Sequence, residues 1–220
     1  KNQKDIFIEK WKELEEISSR IFKPLNGTPM DELFTRYMYY VRAKQGIKSS
    51  TTEALRKFYE RGKYSILKQD ETLPNLKILV DFWNDVYTQN TERFSQDILR
   101  KLFILNYAPN GMWTYFLSVY FLHNKNEKEL LEETKLKIFL DKIIAFVWGF
   151  SFTNPGVNAL RTPVYAEMIN IVSGKGVNFD EHKFDENTFK TAINNFEFKN
   201  GRPITRSMLT WWAFNDNNQA

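Results

Sequence analysis

The feature that most constrains this chain is the spacing of its apolar side chains. They recur every three or four residues in almost every segment, and proline- or glycine-bearing breaks interrupt them. Trp11, Leu14, Ile17 and Ile21 set the pattern, with Lys and Glu between them. A strand would alternate with a period of two, so this spacing belongs to helices that bury one face each. The fold expected is all-α, an irregular bundle of about ten helices with no substantial sheet.

The breaks place the helices. "KPLNGTP" closes the first, and Thr28 followed by Pro29 reads as an N-cap with proline in the first helical position. The next helix carries Leu33, Tyr37, Tyr40 and Val41 and ends near Gly46. Ser50 and Glu53 have capping-box spacing, which predicts a helix bearing Leu55, Phe58 and Tyr59. A further helix from Pro74 carries Leu76, Leu79, Val80, Trp83, Val86 and Tyr87, and another carries Phe94, Ile98, Leu102 and Leu105. "PNGMWTYFLSVYFLHN" is apolar on most sides, as a helix at the centre of a bundle is. Helices follow over about 136–150 and 164–172, Asp185 offers a cap for one more, and Pro203 opens the last. Val177 and Phe179 are the one place where a short extended piece is expected. No fixed-period repeat appears, which argues against a solenoid. The chain reads as one helical domain over 1–220, with sub-boundaries near 68–74 and 173–184.

Composition sets outer limits. Aromatic residues make up 16% of the chain, enough ring surface for a substantial core. The absence of cysteine removes disulfides, thiolate chemistry and cysteine-based zinc sites, and it fits a reducing cytoplasm. The net charge of +4 permits a nucleic-acid partner without demanding one. The longest apolar run, "IIAFVWGFSF" at 143–152, is half the length of a membrane span and reads as a buried helix end; no membrane partner is expected. The chain begins on lysine, which fits a segment excised from a longer protein.

Sites of chemistry are hard to assemble. Two histidines, His123 and His182, lie far apart. His123 suits a helix C-terminus as a cation, and "DEHKFDE" around His182 reads as a solvated acidic loop feeding a helix start. "SGKG" at 173–176 lacks phosphate-loop spacing and follows a helix, so a helix-terminal glycine turn explains it. No nucleophile elbow is present. No catalytic, cofactor-binding or metal-binding residue is assigned.

Two arginine-bearing joints remain, "NPGVNALRTP" and "NGRPITRSMLTWWAF". In the second, Ile204, Met208, Trp211 and Trp212 are expected on a buried face, with Arg202, Arg206 and Thr210 on another. Arg161, Arg202 and Arg206 are therefore the candidates for contact with DNA or with a neighbouring domain, since a guanidinium grips phosphate or carboxylate with equal ease.

These same phrases, with "LRKLFILNYAPNGMWTYFLSVYFL" and "DELFTRYMYYVRAKQGIKSSTTEALRKFYE", resemble the middle region of GmrSD-like proteins, modification-dependent (type IV) restriction endonucleases. The resemblance implies an N-terminal ParB-like domain with a D-G-Q-Q-R motif, a C-terminal HNH-type nuclease domain, and a helical region between or around them. Neither motif occurs here, so no catalytic residue is carried over. The nucleotide and divalent metal that the resemblance implies belong to the longer protein, and no cofactor is expected for this chain. The expected role is a non-catalytic helical domain that couples its flanking domains and contacts DNA. The alternative is a stand-alone helical module that binds protein, and a continuous basic face would separate the two.

Overall fold

The computed structural model describes residues 3–154, 158–183, 185–199 and 203–215. Among them are ten α-helices, one turn of 3-10 helix (Asp180–His182) and no strand. The all-α class read from spacing is the class observed.

Caps and breaks set the helix boundaries. Helix α1 (Gln3–Ile21) runs to the expected break. Helix α2 (Pro29–Lys44) opens on a capping box: the Thr28 amide donates to Asp31 Oδ2 at 2.7 Å, and Asp31 N donates to Thr28 Oγ1 at 3.1 Å. Helix α4 (Thr72–Tyr87) begins two residues before Pro74. Helix α5 (Gln96–Leu105) is capped by Ser95, and α6 (Met112–Asn124) is buried on nearly every side. Helix α7 (Glu133–Thr153) is longer than expected, because the Glu132 carboxylate accepts the amides of Thr134 and Lys135 and starts it early. Helices α8 (Arg161–Val172), α9 (Glu186–Asn194, capped by Asp185) and α10 (Pro203–Asn215) complete the chain.

Helix α3 (Leu55–Tyr64) departs from the sequence reading. Its N-cap position is Ala54, and the Ser50–Glu53 box does not form. The Ser50 hydroxyl instead meets Thr162 Oγ1 at 2.9 Å, and Glu53 pairs with Arg61 at 2.7 Å and Arg42 at 3.6 Å. Partners distant in sequence outcompete the local box. The helix is also broken at Gly62, whose φ of +55° and tight approach to Ser65 Oγ favour a residue without Cβ.

Buried apolar side chains form one connected cluster. Helix α2 packs against α1, α3, α4, α6 and α8, while α7 packs against α5, α9 and α10. The two groups meet along aromatic rings. Tyr120 of α6 stacks on Phe139 of α7 with centroids 3.8 Å apart, and Phe116 meets the same ring at 5.0 Å. Phe179 seals this seam from the loop after α8, stacking on Phe146 at 3.7 Å.

That loop corrects the extended piece expected at Val177 and Phe179. No strand pairs there. Phe179 sits at φ 56°, in the left-handed region, and its ring is buried. The segment is held from below by Glu167 of α8, which is only 1% exposed. Its carboxylate accepts the amides of Asn178 (3.0 Å) and Phe179 (3.1 Å) and the Asn170 side chain (3.2 Å). Lys142 Nζ donates to Val177 O at 2.6 Å from the other side. Side-chain groups here do the work of a strand partner. The stretch near 68–74 is tied in the same way, through buried Thr72, whose hydroxyl donates to Ile66 O at 2.6 Å.

Candidate functional site

Helix α10 lies across α5 and α7. It docks through polar groups as well as apolar ones. Ser207 is buried, and its hydroxyl donates to the Tyr107 carbonyl. The Trp148 indole N–H in turn donates to Ser207 O at 3.1 Å. Thr210 is buried beside it, and Met208 and Trp211 pack partly against the core.

The buried face expected for this helix is therefore rotated. Thr210 points inward, where the sequence reading placed it outward. Trp212 points outward and is 64% exposed, where the reading placed it inward. Helix geometry explains the correction. Positions 207, 210 and 211 are three and four apart and share a face, while 212 lies about 140° from 207 at 100° per residue. Adjacent tryptophans cannot both be covered by one shallow contact. The outward stripe thus carries Arg206, Leu209 (54% exposed) and Trp212, with Phe214 half-exposed at its edge against Phe103.

The three candidate arginines part company. Arg206 is exposed on the α10 stripe. Arg161 opens α8, on the α2–α6 side of the molecule, where its guanidinium donates to Asn158 Oδ1 at 3.0 Å. It also faces Tyr39, whose phenol burial pushes up and the arginine charge pulls down. Arg202 lies outside the described residues. Arg161 and Arg206 stand on helices that pack against different neighbours.

Of three other arginines that sequence reading passed over, Arg36 and Arg42 are built into the core and Arg93 borders it. Arg36 is 5% exposed, paired with Glu32 one turn earlier, and lies 4.4 Å from the Phe22 ring centroid and 4.8 Å from that of Trp83. Burial pulls its guanidinium below the ordinary value, against the raising effect of Glu32. Tyr115, beside the same pair, is pushed up to about 12, mainly by burial and next by the Glu32 charge. Arg42 donates to the carbonyls of Ser49 (2.7 Å) and Thr51 (3.1 Å), which holds the link between α2 and α3. Arg93 joins Asp85 at 2.8 Å to the Glu129 carbonyl at 2.6 Å. The signal was present for the α2 pair: "RYMYYVRA" carries apolar side chains all round, so the arginines in it must be enclosed.

The histidines stay apart, at the end of α6 and in the 3-10 turn. Among the described residues no three His, Asp or Glu side chains are grouped to hold a metal ion. At the α6 terminus Asn124 Nδ2 bonds back to Tyr120 O at 2.9 Å. Burial, and then the Lys44 charge, lower the His123 pKa. Among the described residues no helix is long and apolar enough to cross a membrane. No protein-family model, no curated protein and no solved structure matches this chain.

Proposed function

We propose that this chain is a non-catalytic helical domain whose outward α10 face seats a neighbouring protein domain, within a GmrSD-like nucleotide-dependent restriction endonuclease. The observation that carries the docking role is the stripe of Leu209 and Trp212 beside Arg206, exposed on a helix whose other side is pinned by Ser207 and Trp148. A tryptophan and an arginine flanking an exposed leucine along one fixed helix are residue types that dominate protein interfaces. The assignment to that endonuclease class rests on the resemblance in the quoted segments. In that setting the flanking ParB-like and HNH-type domains supply nucleotide and metal chemistry, and this domain holds them in register.

The apolar character of the stripe favours a protein surface over a phosphate backbone as its main partner. Contact with DNA would then fall to the cation at its border, Arg206. The same stripe would also serve a stand-alone interaction module. The test uses the full reading frame. D-G-Q-Q-R and HNH segments flanking this chain, together with loss of modified-DNA cleavage in Trp212→Asp at unchanged thermal stability, are the expected outcome. A reading frame without those segments removes the endonuclease assignment. Cleavage indifferent to Trp212→Asp removes the docking role.

A further inference from the structure

A second surface feature lies away from α10, where three elements meet. The end of α6 (Tyr120, His123, Asn124), the first half of α7 (Lys135, Ile138, Phe139, Lys142) and the turn leaving α8 (Ile171, Gly174, Gly176, Val177) enclose a cleft of about 290 Å³. Its floor is apolar. Tyr120 and Phe139 stack there with an interplanar angle of 13°, and Ile171 and Val177 are buried beside them. Its rim carries the cations Lys135 and Lys142, with His123, which burial and the Lys44 charge push toward its neutral form, beside them, and no carboxylate lines it. Lys44 is near enough to His123 to act on its charge.

The surrounding charges are accounted for. Glu132, which acts on Tyr120, sits behind Lys135 at 3.9 Å, a loose and exposed pairing. Glu167 is turned into the 178–179 amides. The Lys142 ammonium is fixed by Val177 O at 2.6 Å, which uses one of its three protons and leaves the others to donate. The third wall is low because two of its residues have no side chain. Gly174 and Gly176 hold φ of +75° and +73°, and a Cβ on either would meet nothing within 4 Å.

We propose that this cleft binds a small organic anion, a flat apolar ring carrying a phosphate group. The ring would lie against the Tyr120–Phe139 pair, and the phosphate would meet Lys135 and Lys142, with His123 offering a neutral N–H donor beside them. Lysines act on phosphate as point charges, and the volume is close to the lower end for small-molecule sites. The glycine turn that sequence spacing explained as a helix terminus then has a second role as the open wall.

The test is a fluorescence titration of the whole chain with 2-naphthyl phosphate, with 2-naphthol and inorganic phosphate as separate ligands. Naphthyl phosphate should bind about tenfold or more tighter than either fragment, with amide shifts concentrated at Gly174 and Gly176. Lys142→Gln should weaken it about tenfold, as loss of a charged hydrogen bond does. Lys142 also holds the Val177 carbonyl, so the solvent-exposed Lys135→Glu serves as the second variant; it should weaken binding as much while leaving the unfolding midpoint unchanged. Equal binding of 2-naphthol would reduce the cleft to an apolar crevice. Binding unaffected by Lys135→Glu, or absent at millimolar ligand, would overturn the proposal.

Discussion

Helices α2 and α10 both carry arginines and aromatic rings, and they use the arginines in opposite ways. In α2, Arg36 and Arg42 are enclosed, each held over rings and tied to a carboxylate or to carbonyls of the next loop. In α10, Arg206 faces solvent on the same stripe as Leu209 and Trp212, and Trp212 is 64% exposed. The difference teaches that an arginine's role is set by how far round its helix the apolar surface extends. Where apolar residues encircle the helix, the guanidinium must find its partners inside. Where they form one stripe, the arginine is left to whatever approaches from outside.

The largest effect expected is at Arg36. Removing it strands Glu32 and opens a gap between Phe22, Trp83 and Tyr115. Truncating one member of a buried pair costs about 3–5 kcal/mol, and because Glu32 keeps some access to water, Arg36→Ala should fall near 3 kcal/mol in urea unfolding. The double change Arg36→Met with Glu32→Gln should recover most of that loss, since it fills the volume and leaves no charge unpaired. A loss below about 0.5 kcal/mol for Arg36→Ala would place Arg36 in the surface class and remove the contrast between the helices.

Arg42 should come next, at about 2 kcal/mol, because its two carbonyl acceptors lie in a loop that can reach water once released. The distinguishing readout is local. Amide exchange should speed up over residues 45–54 ahead of the core, and tryptic cleavage should appear there first. Uniform acceleration across all helices would mean that Arg42 supports the core as a whole.

The two tryptophans of α10 sharpen the comparison within one helix. Trp211→Ala should cost about 2 kcal/mol, less than the 3–5 expected for a fully enclosed ring, because Trp211 is only partly buried. Trp212→Ala should change stability by less than about 0.5 kcal/mol. Equal losses at both positions would mean that the helix is rotated from the orientation described.

How much of this was legible depends on how local the determining interactions are. Thr28 with Pro29 announced α2 correctly because the cap adjoins the helix and its partner Asp31 is only three residues on. Ser50 with Glu53 had the same spacing and failed, because Arg42, Arg61 and Thr162 claim those side chains once the chain is folded. The burial of α6 was readable from its all-round apolar surface, and the same reasoning applied to α2 would have found Arg36 and Arg42. The shape of the 177–179 loop was not readable. It depends on one carboxylate, Glu167, set about a dozen residues away in the middle of a helix. At α10, periodicity located the helix, yet its rotation depended on Ser207 and Trp148, a hydrogen bond across 59 positions. Arg206 survived as an exposed candidate, and Arg161 emerged as a half-buried neighbour of Tyr39.

The smallest effect on stability should be at Arg206, and it is the one that tests function. Its side chain is exposed, so Arg206→Ala should shift unfolding by less than about 0.5 kcal/mol. Under the proposed function, any larger functional loss in the longer protein would then come from a contact outside this domain. Two kinds of contact give different signatures. If Arg206 meets a phosphate, it displaces a condensed counterion, and its removal should flatten the dependence of log K on log salt by about 0.9. If it meets a carboxylate on a docked domain, DNA affinity and its salt slope should stay as they were while cleavage falls. The outward apolar neighbours Leu209 and Trp212 favour the second signature, because an arginine at the rim of an apolar contact usually orients a protein partner. Trp212→Ala should then reproduce the Arg206→Ala cleavage defect, and the double variant should be less than additive, since both would act on one interface. Additive losses, or a flattened salt slope from Arg206→Ala alone, would move Arg206 from the protein interface to the DNA.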